Sequence, residues 1–268
     1  MSFSGESLLE VQGLGVDFEG RAAVDDVSFE MAPGEVLGLV GESGSGKSTL
    51  ARALLRLTPV ARGTVTWRGT DLLSCRGAAL RRRRRDLQMV FQNPLASLDP
   101  RMTVGETLAE PLEIFEPQLG RQARVQRVAE MLERVGLAPA SAGRYPHEFS
   151  GGQCQRIGIA RAMMPQPQLL VCDEAVSSLD VSIQGQIVNL LSDLRRDLET
   201  AILFISHNLA VVRHLSDRVM VMYGGRIVET ATREELFAAP LHPYTRALLA
   251  AVPDPAAALQ SPHGPGEA

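Results

Sequence analysis

The segment Gly41–Thr49 constrains the fold more than any other part of the sequence. It reads GESGSGKST and matches the pattern G-x-x-x-x-G-K-[ST]. Glycines let the backbone N–H groups of such a loop curl around phosphate oxygens, and the helix that follows points the positive end of its dipole at them. The segment therefore predicts a strand, a phosphate-binding loop and a helix, in that order.

The flanking residues supply both elements. Val36–Val40 is an unbroken apolar run before the loop, and Leu50, Ala53, Leu54 and Leu57 recur at helical spacing after it. Unbroken apolar runs are typical of strands that are buried on both faces of a parallel sheet. The loop thus has the context that phosphate binding requires.

Other apolar runs extend the same pattern along the chain. They are Leu87–Phe91, Leu169–Cys172, Ala201–Ser206 and Val219–Tyr223. A helical pattern from Ile187 to Leu194 lies between two of them. Strands that alternate with helices predict an α/β doubly wound core whose mainly parallel sheet has flanking helices.

Further segments are expected beside this core. Short strand-like pieces predict a small antiparallel β subdomain: Leu8–Leu14, Val16–Phe18, Val27–Glu30 and Gly63–Asp71. Residues from about 95 to 165 lack an obvious strand and predict an inserted helical subdomain. Residues from about 231 to 268 predict a C-terminal extension that ends in a loose tail, rich in Pro, Ala and Gly from about 253. The chain 1–268 is expected to be a single nucleotide-binding domain.

Composition narrows the possible functions. The 268 residues include 27 basic and 31 acidic side chains, a net charge of −4, which argues against a nucleic-acid binder. No apolar stretch is long enough to span a bilayer, and the first residues lack the features of a secretion signal. Membrane association would therefore come through a partner. An odd number of cysteines, three, without CxxC spacing indicates a reducing compartment.

Two motifs together predict ATP and Mg²⁺ chemistry. Lys47, the only lysine in the chain, would reach the β- and γ-phosphates, and Ser48 would offer its hydroxyl to Mg²⁺. Asp173 ends the run LLVCD and would hold Mg²⁺, usually through water, while Glu174 would polarise the attacking water. The alternatives are an ordinary glycine-rich turn and two solvated acids after a strand. The combination favours a P-loop NTPase.

The order of further motifs resembles the ATP-binding cassette (ABC) family. Phe149–Gln153 reads FSGGQ ahead of a helix expected to begin near Gln153, and it is similar to the family's LSGGQ signature. Gln92 fits the family's Q-loop, Ser178–Asp180 its D-loop and His207 its switch histidine. Phe18 stands where the family places an aromatic residue that stacks on adenine. The resemblance covers nearly the whole chain.

The resemblance implies a role for each site residue. Catalytic roles fall to Glu174, His207 and Gln92. Metal-binding roles fall to Ser48, Gln92 and Asp173. Nucleotide-binding roles fall to Phe18, Gly41, Glu42, Ser43, Gly44, Ser45, Gly46, Lys47, Ser48, Thr49, Ser150, Gly151, Gly152, Gln153 and Asp180. It also implies that two subunits pair head to tail, so that Ser150–Gln153 of one face the ATP held by the other.

Longer segments narrow the resemblance. Phe91–Leu112, Arg144–Gly152, Asp173–Leu191 and His242–Pro253 look like the ATPase subunits of the peptide/nickel importer family, and DEAVS is most like the second of the paired ATPase subunits. This implies ATP-driven import of oligopeptides or dipeptides delivered by an extracytoplasmic binding protein. The implied partners are two transmembrane permease subunits and a sister ATPase subunit or a second copy, at the cytoplasmic face of the inner membrane.

Alternatives remain open at this point. The same family imports nickel or metallophores, and a soluble ABC ATPase or a nucleotide-dependent scaffold would share most motifs. Departures from the family pattern include Cys154 after the signature and Asn208 after the switch histidine, but neither removes a catalytic group. Arg81–Arg85 fits either anionic lipid headgroups or, preferably, a solvated helical face. The surface that couples to the permease is expected around Pro94–Glu116.

Overall fold

A computed structural model describes residues 7–177 and 179–251. The strands are β1 (Leu9–Phe18), β2 (Arg21–Met31), β3 (Val36–Val40), β4 (Arg62–Trp67), β5 (Thr70–Asp71), β6 (Leu87–Val90), β7 (Leu169–Asp173), β8 (Ala201–Ile205), β9 (Arg218–Tyr223) and β10 (Arg226–Thr232). The helices are α1 (Lys47–Leu54), α2 (Gly77–Asp86), α3 (Val104–Phe115), α4 (Arg121–Arg134), α5 (Gly151–Met163), α6 (Val181–Leu198), α7 (Leu209–Leu215), α8 (Arg233–Ala238) and α9 (Pro243–Ala250).

The larger sheet carries the site. Its six strands are arranged β10-β9-β3-β8-β7-β6. All neighbouring pairs are parallel except β9 and β10, which are antiparallel. Each of the five predicted apolar runs forms one of its strands, so the predicted α/β class with a mainly parallel sheet is confirmed.

Burial on both faces explains why these strands are continuously apolar. In β3, Leu37 and Leu39 pack into a core shared with α1 and the antiparallel sheet. Val36 and Val40 pack into a second core shared with α5, α6 and α7. Successive side chains point to opposite faces of a strand, and here neither face meets water.

A four-stranded antiparallel sheet, arranged β2-β1-β4-β5, lies beside the parallel sheet. The prediction of separate short pieces was wrong for Leu8–Leu14 and Val16–Phe18, which the structure joins into β1. Register shifts near Leu14 absorb the irregular spacing, and Gly13 has φ 58° there. Such bulges interrupt the alternation of side chains without ending the strand.

The segment between β6 and β7 contains α3, α4 and α5, joined by short 3-10 turns at Leu95–Ser97, Pro139–Gly143 and Pro146–Glu148. Arg81–Arg85 lies in α2, a helix without a buried residue, in line with a solvated face. The predicted loose tail from about residue 253 lies outside the described residues. Within the described ranges, no helix has the length and apolar character needed to cross a bilayer.

Candidate nucleotide-binding site

The parallel strands bring distant polar residues to one edge of the larger sheet. The segment after β3 is Gly41–Gly46, Gln92 follows β6, Glu174 follows β7 and His207 follows β8. The carboxyl ends of parallel strands meet at the same edge, which is where ligands bind in open α/β sheets. The structure therefore gathers residues that the sequence spreads over more than half of the chain.

The loop Gly41–Gly46 needs glycine at both ends. Gly41 has φ 153° and Gly46 has φ 106°, values that side-chain-bearing residues rarely adopt. A Cβ at Gly41 would lie 2.1 Å from the carbonyl oxygen of Met222, and a Cβ at Gly46 would lie 2.3 Å from that of Ala23. The close approach of neighbouring backbone therefore fixes the curvature of the loop.

Lys47 is the first residue of α1, and its side chain folds back to the start of the loop. Its side chain is buried, and its Nζ donates to the carbonyl oxygens of Gly41 at 2.8 Å and of Glu42 at 2.7 Å. Burial lowers the pKa of Lys47, while the carboxylates of Glu174, Asp173 and Glu42 raise it. The ammonium is held by neutral acceptors that phosphate oxygens can replace.

Ser48 and Asp173 form a pair that fits Mg²⁺. Ser48 Oγ donates to Asp173 Oδ1 at 2.8 Å. Burial raises the pKa of Asp173, and the Ser48 hydroxyl and the positive charges of Arg52 and Lys47 lower it in part. Mg²⁺ prefers oxygen ligands at about 2.1 Å in an octahedron, whose neighbouring ligands lie about 3 Å apart. The two oxygens have the chemistry and the spacing of such ligands.

Gln92 and His207 converge on one carboxylate oxygen of Glu174. Gln92 Nε2 donates to Glu174 Oε2 at 2.8 Å, and His207 Nδ1 lies 3.6 Å from the same atom. Glu174 has φ 49°, and its N–H donates to the carbonyl oxygen of Ile205 at 3.0 Å. A strained backbone at such a turn is typical of functional sites.

Phe18 is not a core residue. It ends β1, pairs with Arg21 across the hairpin, and its side chain is 51% exposed. β2 of the same hairpin carries Ala23, whose carbonyl oxygen lies against the phosphate loop at Gly46. An exposed aromatic ring on this hairpin is free to stack on a planar base.

The signature segment caps α5 through its own side chains. Ser150 is the N-cap residue, so the helix begins at Gly151, two residues before the predicted start. Ser150 Oγ accepts the N–H of Gln153 at 3.3 Å, and Gln153 Oε1 accepts the N–H of Ser150 at 3.0 Å. A Cβ at Gly152 would lie 2.7 Å from Cγ2 of Ile183, so a larger residue there would require the Ile183 side chain to shift.

This signature is separate from the phosphate loop of its own chain. Ser150, Gly151 and Gln153 are exposed, and no hydrogen bond joins Ser150–Gln153 to Gly41–Thr49 within the described residues. Asp180 is the exposed N-cap residue of α6. Ser178, which belongs to the predicted D-loop, lies outside the described residues.

Sequence reasoning missed Tyr244. Its hydroxyl oxygen accepts the N–H of Glu42 at 3.0 Å, although the two residues are 202 positions apart. Gly225 also supports the loop, since its N–H donates to the carbonyl oxygen of Ser45 at 3.0 Å. The only sequence signal was the segment HPYT, which resembles the importer family but gives no indication that its tyrosine contacts the phosphate loop.

The two departures from the family pattern have structural explanations. Asn208 is the N-cap residue of α7, and its Oδ1 accepts the N–H of Ala210 at 3.1 Å, a task that Asn and Asp perform equally well. Cys154 is fully buried, and its Sγ lies 3.4 Å from the carbonyl oxygen of Pro146. Neither side chain disturbs the site residues.

Known proteins resemble the chain closely in sequence. The family described as ABC transporter matches residues 24–177, and the one described as oligopeptide/dipeptide transporter, C-terminal region, matches residues 228–267. The oligopeptide transport ATP-binding protein OppF of Salmonella typhimurium is 54% identical over 92% of this chain and 78% of its own. A putative peptide import ATP-binding protein of Brucella ovis is 53% identical over 92% of this chain and 79% of its own.

Solved structures agree with the fold. CbiO1 of Clostridium perfringens, part of the ABC transporter complex CbiONQ, has a TM-score of 0.79 at 25% identity and covers 88% of this chain and 92% of its own. The ATP-binding cassette MJ0796, a dimer bound to ADP and Pi, has a TM-score of 0.76 at 26% identity. The match covers 84% of this chain and 98% of MJ0796. The chain belongs to the ABC transporter family and is one of its ATP-binding subunits.

Proposed function

We propose that this chain hydrolyses ATP to power the import of oligopeptides or dipeptides through a membrane ABC transporter. The observation that carries the proposal is the convergence of Gln92 and His207 on Glu174, beside the Ser48–Asp173 pair. The relatives named for oligopeptide transport and the match over residues 228–267 support the peptide class. Nickel or metallophore import is not favoured by these relatives.

Different residues of the chain bind the phosphates, the adenine and the Mg²⁺ ion. Lys47 exchanges its carbonyl acceptors for β- and γ-phosphate oxygens, and the loop N–H groups surround the same phosphates. Phe18 stacks on the adenine. Ser48, Asp173 and Gln92 would hold Mg²⁺, which neutralises phosphate charge when bound.

Glu174 is positioned to act as the general base. Gln92 donates to its carboxylate at 2.8 Å, which holds the side chain in place before the nucleotide arrives. The carboxylate then orients a water molecule and takes its proton during attack on the γ-phosphate. His207, beside the same oxygen, donates to the phosphoryl oxygens on which charge develops.

A second subunit completes the site. Ser150–Gln153 is exposed at the start of α5, so its helix N-terminus offers N–H donors to the ATP of another chain. The related MJ0796 structure is described as a dimer bound to ADP and Pi. ATP therefore bridges two chains, a sister ATPase or a second copy, and hydrolysis removes the bridge.

A groove beside Gln92 is the proposed docking surface for the permease. It has a volume of about 280 Å³ and lies between the end of α1, β6 and α3. Its exposed apolar side chains include Leu57, Phe91 and Ile114, and such patches mark interaction sites. The proposed coupling surface thus includes Leu55 and Leu57, which lie outside the predicted range Pro94–Glu116. Docking there makes the chain peripheral to the cytoplasmic face of the membrane.

The test is reconstitution of the complete transporter in vesicles. The chain is combined with its two permease subunits, its partner ATPase and the binding protein, and phosphate release is measured. Peptide-loaded binding protein should stimulate ATP hydrolysis several-fold over the unloaded form. Stimulation by a nickel-loaded binding protein alone would overturn the peptide class, and failure of the chain to join the permease would overturn the transport function.

A further inference from the structure

The peptide group between Gly41 and Glu42 is hydrogen-bonded on both sides. Its carbonyl oxygen, on Gly41, accepts Lys47 Nζ at 2.8 Å. Its N–H, on Glu42, donates to the hydroxyl oxygen of Tyr244 at 3.0 Å. A chain of two hydrogen bonds therefore runs from the phosphate-binding ammonium through one peptide group to a side chain near the C-terminal end of the described residues.

Tyr244 is held by contacts that do not involve the loop. Its ring lies 4.4 Å from the ring of Tyr223 at the end of β9, centroid to centroid. The Glu229 carboxylate of β10 accepts the N–H groups of Leu241 at 2.8 Å and His242 at 2.9 Å, and His242 caps α9 by accepting the N–H of Tyr244. The last strands thus fix the position of the hydroxyl.

The proposed role of Lys47 implies that the loop loses one of these bonds when a nucleotide binds. If phosphate oxygens draw the Lys47 ammonium away from the Gly41 carbonyl, that side of the peptide group loses its partner. The peptide group could then rotate, and a loop that samples several orientations loses conformational entropy when it is fixed around the phosphates. The bond from Glu42 N–H to Tyr244 opposes that rotation, because it holds the N–H on the outer side of the loop.

We propose that Tyr244 is a positioning residue for ATP binding, and that β10 and α9 set the nucleotide affinity of the phosphate loop through its hydroxyl. The proposal rests on the proposed role of Lys47 at the phosphates. It assigns to the C-terminal segment a task inside its own subunit, in addition to any contact with other subunits. The bond orients the loop and takes no part in the transfer of the phosphoryl group.

Tyr244→Phe tests the proposal because it removes only the hydroxyl group. A hydrogen bond of this kind contributes about 0.5–1.5 kcal/mol net, so ATP affinity should fall about twofold to twelvefold. The KM for ATP should rise by the same factor in the full-length protein, while kcat changes less than about twofold, since Glu174, Gln92 and His207 are not touched. Calorimetric Kd and steady-state phosphate release measure the two effects.

Two further variants separate positioning from general stability. Tyr223→Phe removes a hydroxyl that has no hydrogen-bond partner among the described residues, and it should leave the KM unchanged. Glu229→Ala releases Leu241 and His242, and should raise the KM in the same direction as Tyr244→Phe. Both changes interrupt one chain of contacts. The double variant Glu229→Ala/Tyr244→Phe should therefore have a KM for ATP no higher than that of the more impaired single variant.

Different results would overturn the positioning role of Tyr244 and the proposed phosphate-binding role of Lys47. ATP affinity within about 1.5-fold of the original in Tyr244→Phe removes the positioning role, as does a lower Tm with an unchanged KM. Full additivity of the Glu229 and Tyr244 effects also contradicts it. By contrast, Lys47→Ala that binds ATP normally would show that the phosphates lie elsewhere, whatever Tyr244 does.

Discussion

Gln92 Nε2 donates a hydrogen bond of 2.8 Å to Glu174 Oε2, and this bond joins the ends of two adjacent strands, β6 and β7. Gln92 directly follows Phe91, which lines the proposed permease groove. One hydrogen bond and one residue along the chain therefore separate the carboxylate that would activate water from the surface that would meet the membrane subunit. The bond thus links the proposed docking groove to the proposed general base.

Glu174→Gln should keep ATP binding and lower turnover by about 10²–10⁴-fold, because an amide cannot accept the proton of the attacking water. ATP should also accumulate in a closed dimer, which size-exclusion chromatography with ATP would detect. Glu133→Gln, at an exposed position of α4, is the control and should retain full activity. Near-normal hydrolysis by Glu174→Gln would remove Glu174 from the role of base.

Lys47 carries the only ε-amine in the chain, so an amine reagent reports on it alone, with the N-terminal amine as internal control. Mg-ATP should protect Lys47 from labelling and leave the N-terminus reactive, as peptide mapping by mass spectrometry would show. Lys47→Arg should also weaken nucleotide binding, because a planar guanidinium replaces a compact ammonium. Clear labelling of Lys47 that Mg-ATP does not reduce would contradict the placement of the phosphates.

Ile114→Arg should abolish membrane recovery of the co-expressed subunit, because it places a charge in the apolar groove where the permease would dock. ATP binding by the isolated subunit should not change. Val125→Arg is the matched control: its side chain is 63% exposed and lines a different groove, between α3 and α4. Loss of membrane recovery in both variants, or in neither, would argue against this docking surface.

Gly41→Ala should destabilise the protein more than Gly44→Ala. Both glycines have positive φ, which costs a side-chain-bearing residue about 1–3 kcal/mol. Only at Gly41 does a Cβ also meet backbone, 2.1 Å from the Met222 oxygen, while at Gly44 nothing lies within 4 Å. Overpacking should add about 1–3 kcal/mol to the loss in free energy of unfolding, measured by urea titration.

A thiol reagent should modify one cysteine rapidly in the native protein and three after denaturation. Cys75 is partly exposed, whereas Cys154 and Cys172 are buried, and burial raises the pKa of both buried thiols. Thiolate is the reactive form, so both buried groups should react slowly. Intact-mass measurement before and after denaturation gives the count. Fast native labelling of Cys172 would contradict its place in the sheet core.

The sequence alone determined the fold class, and it predicted the residues that the structure gathers at one edge of the larger sheet. Val36–Val40 could be assigned as a strand because burial on both faces leaves an unbroken apolar run. The loop Gly41–Thr49 could be assigned because phosphate binding demands glycines and a lysine at fixed spacing. These features depend on neighbours along the chain, and local sequence records them directly.

Only the tertiary structure decided the contacts between distant segments. Leu8–Leu14 and Val16–Phe18 became one strand because a bulge absorbs the break in alternation. Tyr244 reaches Glu42 because β9 and β10 carry α9 back to the phosphate loop, across 202 positions of sequence. The apolar groove at Ile114 exists only where separate elements meet. Hydrophobic periodicity reports which face of an element is buried, whereas the partner of that face depends on the packing of the whole chain.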